Sequence, residues 1–206
     1  APADPAVDAA PLVVFLGDSL TAGFGLPEDD AFPAVLERAF AAADRPIRVV
    51  NAGVSGDTTT GGRRRLDWLL RQDPDVVVIG LGANDGLRGL DLAATEANLR
   101  AIMAGVREAG AEPVLLGMRI PTNYGPDYAE PFAAIYGRVA AEESAALVPL
   151  VLEGVGGVDA MNLADGIHPN AAGHRRMAET IRPVLEQVLE RVLEQPLTEP
   201  AAPVSR

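Results

Sequence analysis

The 206-residue sequence predicts an α/β protein: a three-layer α/β/α sandwich with a central, mainly five-stranded parallel sheet. Three observations lead there. Short runs of Val, Ile and Leu are continuous rather than alternating, as in parallel strands covered on both faces. Longer amphipathic stretches separate them, and a strand–helix alternation repeated this often implies right-handed crossovers in a layered fold. The segments after the first three runs are polar and Gly-rich, as loops gathered at one edge of such a sheet would be.

In chain order, "PLVVFLG" (11–17) reads as the first strand, followed by a helical pattern at about 32–43 with Pro33 near its start. "IRVVNAG" (47–53) is the second strand, and a helix follows at 62–72. "DVVVIGLG" (75–82) is the third, leading to a helix at 91–109 that Gly110 closes as a C-cap. "EPVLLGMRI" (112–120) is the fourth, with a helix at 127–145 behind it. "ALVPLV" (146–151) is a weaker fifth, and the last helix runs from about 170 to 194. One domain over 11–194 accounts for these elements. "APADPAVDAA" (1–10) reads as a disordered N-terminal segment and "QPLTEPAAPVSR" (195–206) as a flexible tail.

Composition narrows the chemistry. Hydrophobic residues at 48% and charged residues at 22% fit a soluble globular chain. A net charge of -12 argues against nucleic acid or an anionic membrane surface as partner, because both encounters are repulsive. All 17 basic residues are Arg, so lysine Schiff-base chemistry is excluded. With no cysteine, disulfides, thiol nucleophiles and thiolate metal sites are excluded too. No apolar run approaches the roughly 20 residues of a spanning helix, so integral membrane association is not expected. The Ala/Pro-rich first ten residues resemble what signal-peptide cleavage leaves behind, which suggests a periplasmic or secreted protein while leaving the cytoplasm open. A monomer is expected.

Two histidines make the search for a general base short. His168 lies in "LADGIHPN" with Asp165 three residues upstream, where a turn through Gly166 could bring the carboxylate to one ring nitrogen. The alternative is a loop histidine beside a capping Asp. His174, inside the last helix, reads as a surface or packing residue. Of four serines, only Ser19 follows directly on the carboxyl end of a strand, in "LGDSLTAG", where its hydroxyl can project into a cleft or cap a short helix. Gly56 in "SGDT" could offer an unobstructed backbone N–H to a developing oxyanion, and Asn84 in "GAND" a side-chain amide, although both sequences also suit ordinary turns. Asp18 and Asp57 could position these loops or merely cap them. "RRR" at 63–65 reads as a solvated helix start rather than as an anion-attracting patch.

"GDSL" at 17–20, the Gly of "SGDT", "GAND" and "DGIHP" stand in the order and spacing of the motif blocks of the SGNH (GDSL) hydrolases, and the chain resembles that family from about Leu12 to Leu193. "NAGVSGDTT", "LGANDGLRG", "RIPTNYG" and "DGIHPN" resemble in particular its bacterial arylesterase, acyl-CoA thioesterase and lysophospholipase type. The resemblance implies a flavodoxin-like sheet order and a serine esterase acting through an acyl-enzyme, without cofactor or metal. It implies Ser19 as nucleophile, His168 as base, Asp165 as its orienter, and the Ser19 N–H, Gly56 N–H and Asn84 as oxyanion hole. Gly53 competes with Gly56 for that role, and Ala83 stands where "GGND" relatives carry glycine. No Gly-x-Ser-x-Gly elbow is present, which argues against the α/β-hydrolase fold.

Small esters, thioesters or lysolipids are the expected partners. Ile120, Pro121 and Tyr124 in "RIPTNYGPDY" are candidates to wall an acyl groove, or simply to pack a loop. Two other function classes compete. Asp18, Asp57, Asn84, Asp85 and His168 could be ligands of a metal-dependent phosphoester hydrolase, and the same rim could bind carbohydrate without catalysis.

Overall fold

A computed structural model describes residues 10–194; the expectations for residues 1–9 and 195–206 lie outside the described residues. Five strands, β1 (Leu12–Gly17), β2 (Arg48–Gly53), β3 (Val76–Gly80), β4 (Glu112–Leu116) and β5 (Ala146–Val148), form one sheet. Its order is β2-β1-β3-β4-β5, and every pairing is parallel. The helices are α1 (Ser19–Ala22), α2 (Phe32–Ala41), α3 (Thr59–Leu70), α4 (Ala83–Leu87), α5 (Leu92–Glu108), α6 (Pro126–Glu142) and α7 (Ala171–Glu194).

All residues of β1 and β3 are buried, which explains why their sequences show no alternation: both faces of the central strands are covered. α2 packs on α7 over one face, while α3, α5 and α6 pack in turn over the other. Their apolar stripes supply the core with Leu36 and Phe40 from α2, Ile181 and Leu185 from α7, Leu66 and Leu69 from α3, Leu99 and Ile102 from α5, and Phe132 and Ile135 from α6.

The connection from β1 leads outward to β2, and the next crosses back over β1 to β3. The direction of winding therefore reverses at β1, and a crevice opens at the carboxyl ends of β1 and β3, where open α/β sheets bind ligands.

The elements differ from the expected bounds mainly at strand ends. The fourth strand stops at Leu116 rather than 120: the Gly117 N–H makes the last ladder bond, to the Val148 carbonyl (2.7 Å), and the Gly117 carbonyl then accepts from Val151 (2.9 Å), out of register beyond Pro149. The fifth ends before Pro149, which has no N–H for a ladder. α3 starts three residues earlier than expected, where the Thr58 hydroxyl accepts from the Gly61 N–H (3.3 Å). The short helices α1 and α4 were not among the expected elements. α1 lies so close on the end of β2 that a Cβ at Gly53 would run into the Ala22 backbone, so glycine is required there.

Candidate active site

Asp18 ends β1 and caps α1: its Oδ1 accepts from the Leu20 N–H (3.0 Å), leaving Ser19 as the first helical residue at the crevice. His168 arrives from the far end of the chain. Its loop is pinned by a bridge between Asn162 and Pro169, by the Leu163 N–H donating to the His168 carbonyl (2.7 Å), and by Asn170, whose Oδ1 accepts from Ala172 and Gly173 at the start of α7.

Within that loop the Asp165 carboxylate folds back as its spacing suggested. Oδ1 accepts from the Ile167 and His168 amides (2.9 and 3.0 Å), and Oδ2 lies 2.8 Å from His168 Nδ1. Those bonds, the His168 amide first, hold the Asp165 pKa down at about 2, so the carboxylate is ionised at neutral pH. An ionised acceptor on Nδ1 fixes the ring proton there and leaves Nε2 as an acceptor. Nε2 lies 3.0 Å from Ser19 Oγ, across 149 positions of sequence. The Phe24 ring covers the imidazole, with centroids 4.5 Å apart.

The oxyanion candidates lie on the segments that follow β1, β2 and β3. Gly56 has φ +80°, a left-handed conformation that favours glycine. Its N–H and that of Ser19 donate to no protein acceptor among the described residues. The Gly53 N–H, in contrast, donates to Asn51 Oδ1 (3.0 Å), which leaves Gly56 as the available donor of the two. Asn84, the second residue of α4, gives one amide hydrogen to Asp18 Oδ2 (3.2 Å) and keeps the other. Burial raises the Asp18 pKa from 3.8 to about 6, against the lowering effect of its hydrogen bonds.

Two groups have structural roles that the sequence reading did not assign them. Asp85 is buried and accepts from the Thr59 N–H (2.9 Å), the Thr59 hydroxyl (2.6 Å) and the Thr95 hydroxyl (3.4 Å), anchoring α4 to α3 and α5. Arg65 is not part of a solvated triplet. Arg63 and Arg64 are exposed, but Arg65 lies three residues after Gly62 and four before Leu69, both buried, and so turns inward. That helical spacing was the available signal. Arg65 Nε donates to Asp57 Oδ2 (2.8 Å), so Asp57 is engaged beyond its cap of the Thr58 N–H (3.0 Å).

His174 is a packing residue, as expected. It is buried, and its Nδ1 accepts from the Phe32 N–H (3.1 Å), capping α2 from across the molecule. Of the wall candidates, Ile120 is buried beneath Gly86, Pro121 is exposed, and Tyr124 is exposed with its hydroxyl donating to the Leu87 carbonyl (2.7 Å). Among the described residues no three His, Asp or Glu side chains form a metal-holding group. The carboxylates of Asp18, Asp57 and Asp85 are each engaged with protein donors. Among the described residues no helix is long and apolar enough to cross a membrane.

A crevice with a hydroxyl, an oriented imidazole and spare amide donors invites comparison with known proteins. Over 179 residues, 86% of this chain and 89% of the relative, the sequence is 47% identical to the Esterase TesA of Pseudomonas aeruginosa. It is 44% identical over 163 residues, 79% of this chain and 77% of the relative, to the Thioesterase 1/protease 1/lysophospholipase L1 of Escherichia coli. The crystal structure of the psychrotrophic esterase EstA from Pseudoalteromonas sp., inhibited by monoethylphosphonate, superposes with a TM-score of 0.83 at 32% identity, covering 87% of this chain and 98% of that one. Residues 15–176 match the profile of the GDSL-like Lipase/Acylhydrolase family. With the fold, the order of the motif blocks and these relatives in agreement, the chain belongs to the GDSL-like lipase/acylhydrolase family.

Proposed function

We infer that the protein is a serine esterase that hydrolyses carboxylic esters, with thioesters and lysophospholipids in its range, through an acyl-enzyme. One observation carries this: Ser19 Oγ, His168 and Asp165 form a continuous relay, 3.0 and 2.8 Å per link, at the sheet's switch point.

His168 Nε2 takes the Ser19 proton as Oγ attacks the acyl carbon, and the electron pair of the C=O bond moves onto oxygen. The Ser19 and Gly56 N–H groups and the Asn84 amide hold that oxyanion. The imidazolium then gives its proton to the departing alkoxide or thiolate. Water, deprotonated by the same nitrogen, attacks the acyl-enzyme, and the acid leaves with Ser19 restored. Asp165 keeps the ring in the working tautomer and offsets its transient charge. Asp18 steadies the Asn84 amide, and Asp57 steadies the Gly56 loop.

Apolar side chains exposed on the segments that follow β1, β2, β3 and β4 and on the His168 loop, Phe24, Val54, Leu87, Leu90, Tyr124 and Ile167, suit an acyl or aryl group. Pro121 and Tyr124 are the wall residues within reach of such a group, with Ile120 supporting them from below. A panel of p-nitrophenyl esters, acyl-CoAs and lysolipids on wild type and Ser19→Ala tests the reading: turnover is lost in the variant, and a phosphonate labels Ser19. Activity that survives in Ser19→Ala, or that EDTA abolishes, replaces it with the metal phosphoesterase. Absence of any turnover replaces it with a carbohydrate binder. A periplasmic or secreted monomer belongs to the same proposal, tested by fractionation and size-exclusion chromatography.

A further inference from the structure

We propose that Arg65 is a positioning residue that sets the width of the oxyanion hole. This rests on the esterase reading above. The Arg65 guanidinium lies behind the crevice and uses all three nitrogens. Nη2 donates to the Gly17 carbonyl (2.9 Å), Nη1 to the Ala52 carbonyl (2.6 Å) and Nε to Asp57 Oδ2 (2.8 Å). Gly17 ends β1 two residues before Ser19. Ala52 stands next to the end of β2, and Asp57 directly follows Gly56. One planar fork thus ties the strand that delivers the Ser19 N–H to the strand and loop that deliver the Gly56 N–H.

Other contacts fix the strand ends but do not reach the Gly56 loop: Asn51 Nδ2 donates to the Thr21 carbonyl (2.9 Å), and α1 packs on Gly53. Beyond the last ladder pair, Gly17 with Gly53, the Val54 N–H donating to the Gly17 carbonyl (3.0 Å) is the final bond between the two segments. The turn bearing Gly56 is closed by the Asp57 N–H donating to the Val54 carbonyl (3.0 Å), and the Gly56 carbonyl accepts from Arg88 Nη2 (2.9 Å). Side-chain exposures of 23% for Arg65 and 11% for Asp57 place the pair out of bulk water, where it is geometrically definite. Its carrier is also well anchored: α3 packs Leu66 and Leu69 into the core and receives Asp85 at its first turn, so the same helix fixes the α4 turn bearing Asn84. A lysine could not replace the fork, because an ammonium is a point charge that cannot span three acceptors in one plane.

The strut acts on the tetrahedral state and not on substrate capture, which sets its signature. In Arg65→Ala, kcat falls about tenfold or more, since a displacement near 1 Å in an active site costs up to about a hundredfold, while KM stays within about twofold. Inhibition by an alkylboronic acid, whose boron bonds to Ser19 Oγ and turns tetrahedral toward the hole, weakens in parallel with kcat. Arg65→Lys does not restore either value, and Asp57→Ala combined with Arg65→Ala is no worse than Arg65→Ala alone, because both cut one strut. Arg64→Ala, exposed on the same helix, behaves as wild type. Arg65→Gln and Asp57→Asn give the same split should the alanine variant fail to fold.

Wild-type turnover and its loss in Ser19→Ala are measured first; if either fails, the esterase reading falls and the strut with it. If both hold and the Arg65 variants lose thermal stability alone, with kcat and boronate affinity within about threefold of wild type, the strut is overturned while the reading stands.

Discussion

Acidification from pH 7 to 4.5 will weaken the fold at His174. The ring is buried in α7, stacks on Phe32 at 6.1 Å and 14°, and caps α2 by accepting from the Phe32 N–H. Burial lowers its pKa from 6.5 to about 4. The folded value lies below the unfolded one, so between them the unfolded chain binds the extra proton and stability drops as the pH falls through that window. The gap corresponds to about 3 kcal/mol at its acid end, of which about 2.5 kcal/mol is expressed by pH 4.5.

Asp18 works against it. Its folded pKa, about 6, lies above the unfolded value, so the native state protonates first and gains about 2 kcal/mol over the same interval. Wild type alone would show little net change, so a second protein is needed. Urea unfolding of wild type and His174→Gln at both pH values isolates the histidine, because the Asp18 contribution is common to both. The stability difference between the two proteins shifts by about 2.5 kcal/mol in the variant's favour on acidification. A difference constant to within about 0.5 kcal/mol would show that His174 is not the acid-labile group and refute the reasoning.

Asn84→Ala removes one oxyanion donor and lowers kcat about a hundredfold with KM little changed, by steady-state kinetics on a p-nitrophenyl ester. Asp18→Asn keeps an acceptor for the Leu20 N–H but removes the charge beside Asn84; kcat falls about tenfold, and urea titrations of the variant show a net loss of about 2.5 kcal/mol from pH 7 to 4.5, because the Asp18 gain no longer offsets the His174 loss. Gly53→Ala drives a methyl into the Ala22 backbone and costs about 1–3 kcal/mol or more, read as a lowered urea midpoint; an unchanged midpoint would mean that α1 can move off β2.

The sheet was legible because its central strands are buried on both faces, and that condition writes unbroken apolar runs into the sequence. Strand ends were less so. "GMRI" after Leu116 is nearly as apolar as a strand, and the ladder ends only because the Gly117 carbonyl accepts from Val151, beyond Pro149. Helices of four and five residues have no periodicity to read: α1 exists because Asp18 caps it and β2 supports it. In the site, the meeting of Ser19, Asp165 and His168 was readable from the order and spacing of four motif blocks, since each residue alone also suits a cap or a loop. Asp85 and Arg65 were not, because their partners lie on other elements: Thr95 on α5 for Asp85, the ends of β1 and β2 for Arg65. Neighbouring residues do not announce such bonds.

The long interval between Ser19 and His168 has its own consequence. During synthesis the Ser19 hydroxyl emerges before His168, which follows 149 positions later, in the last segment before α7. A nascent or truncated chain lacking that segment holds a nucleophile with nothing to deprotonate it. On the proposed mechanism, hydrolysis therefore reports that the last crossover has docked, and the polypeptide stays chemically silent until then.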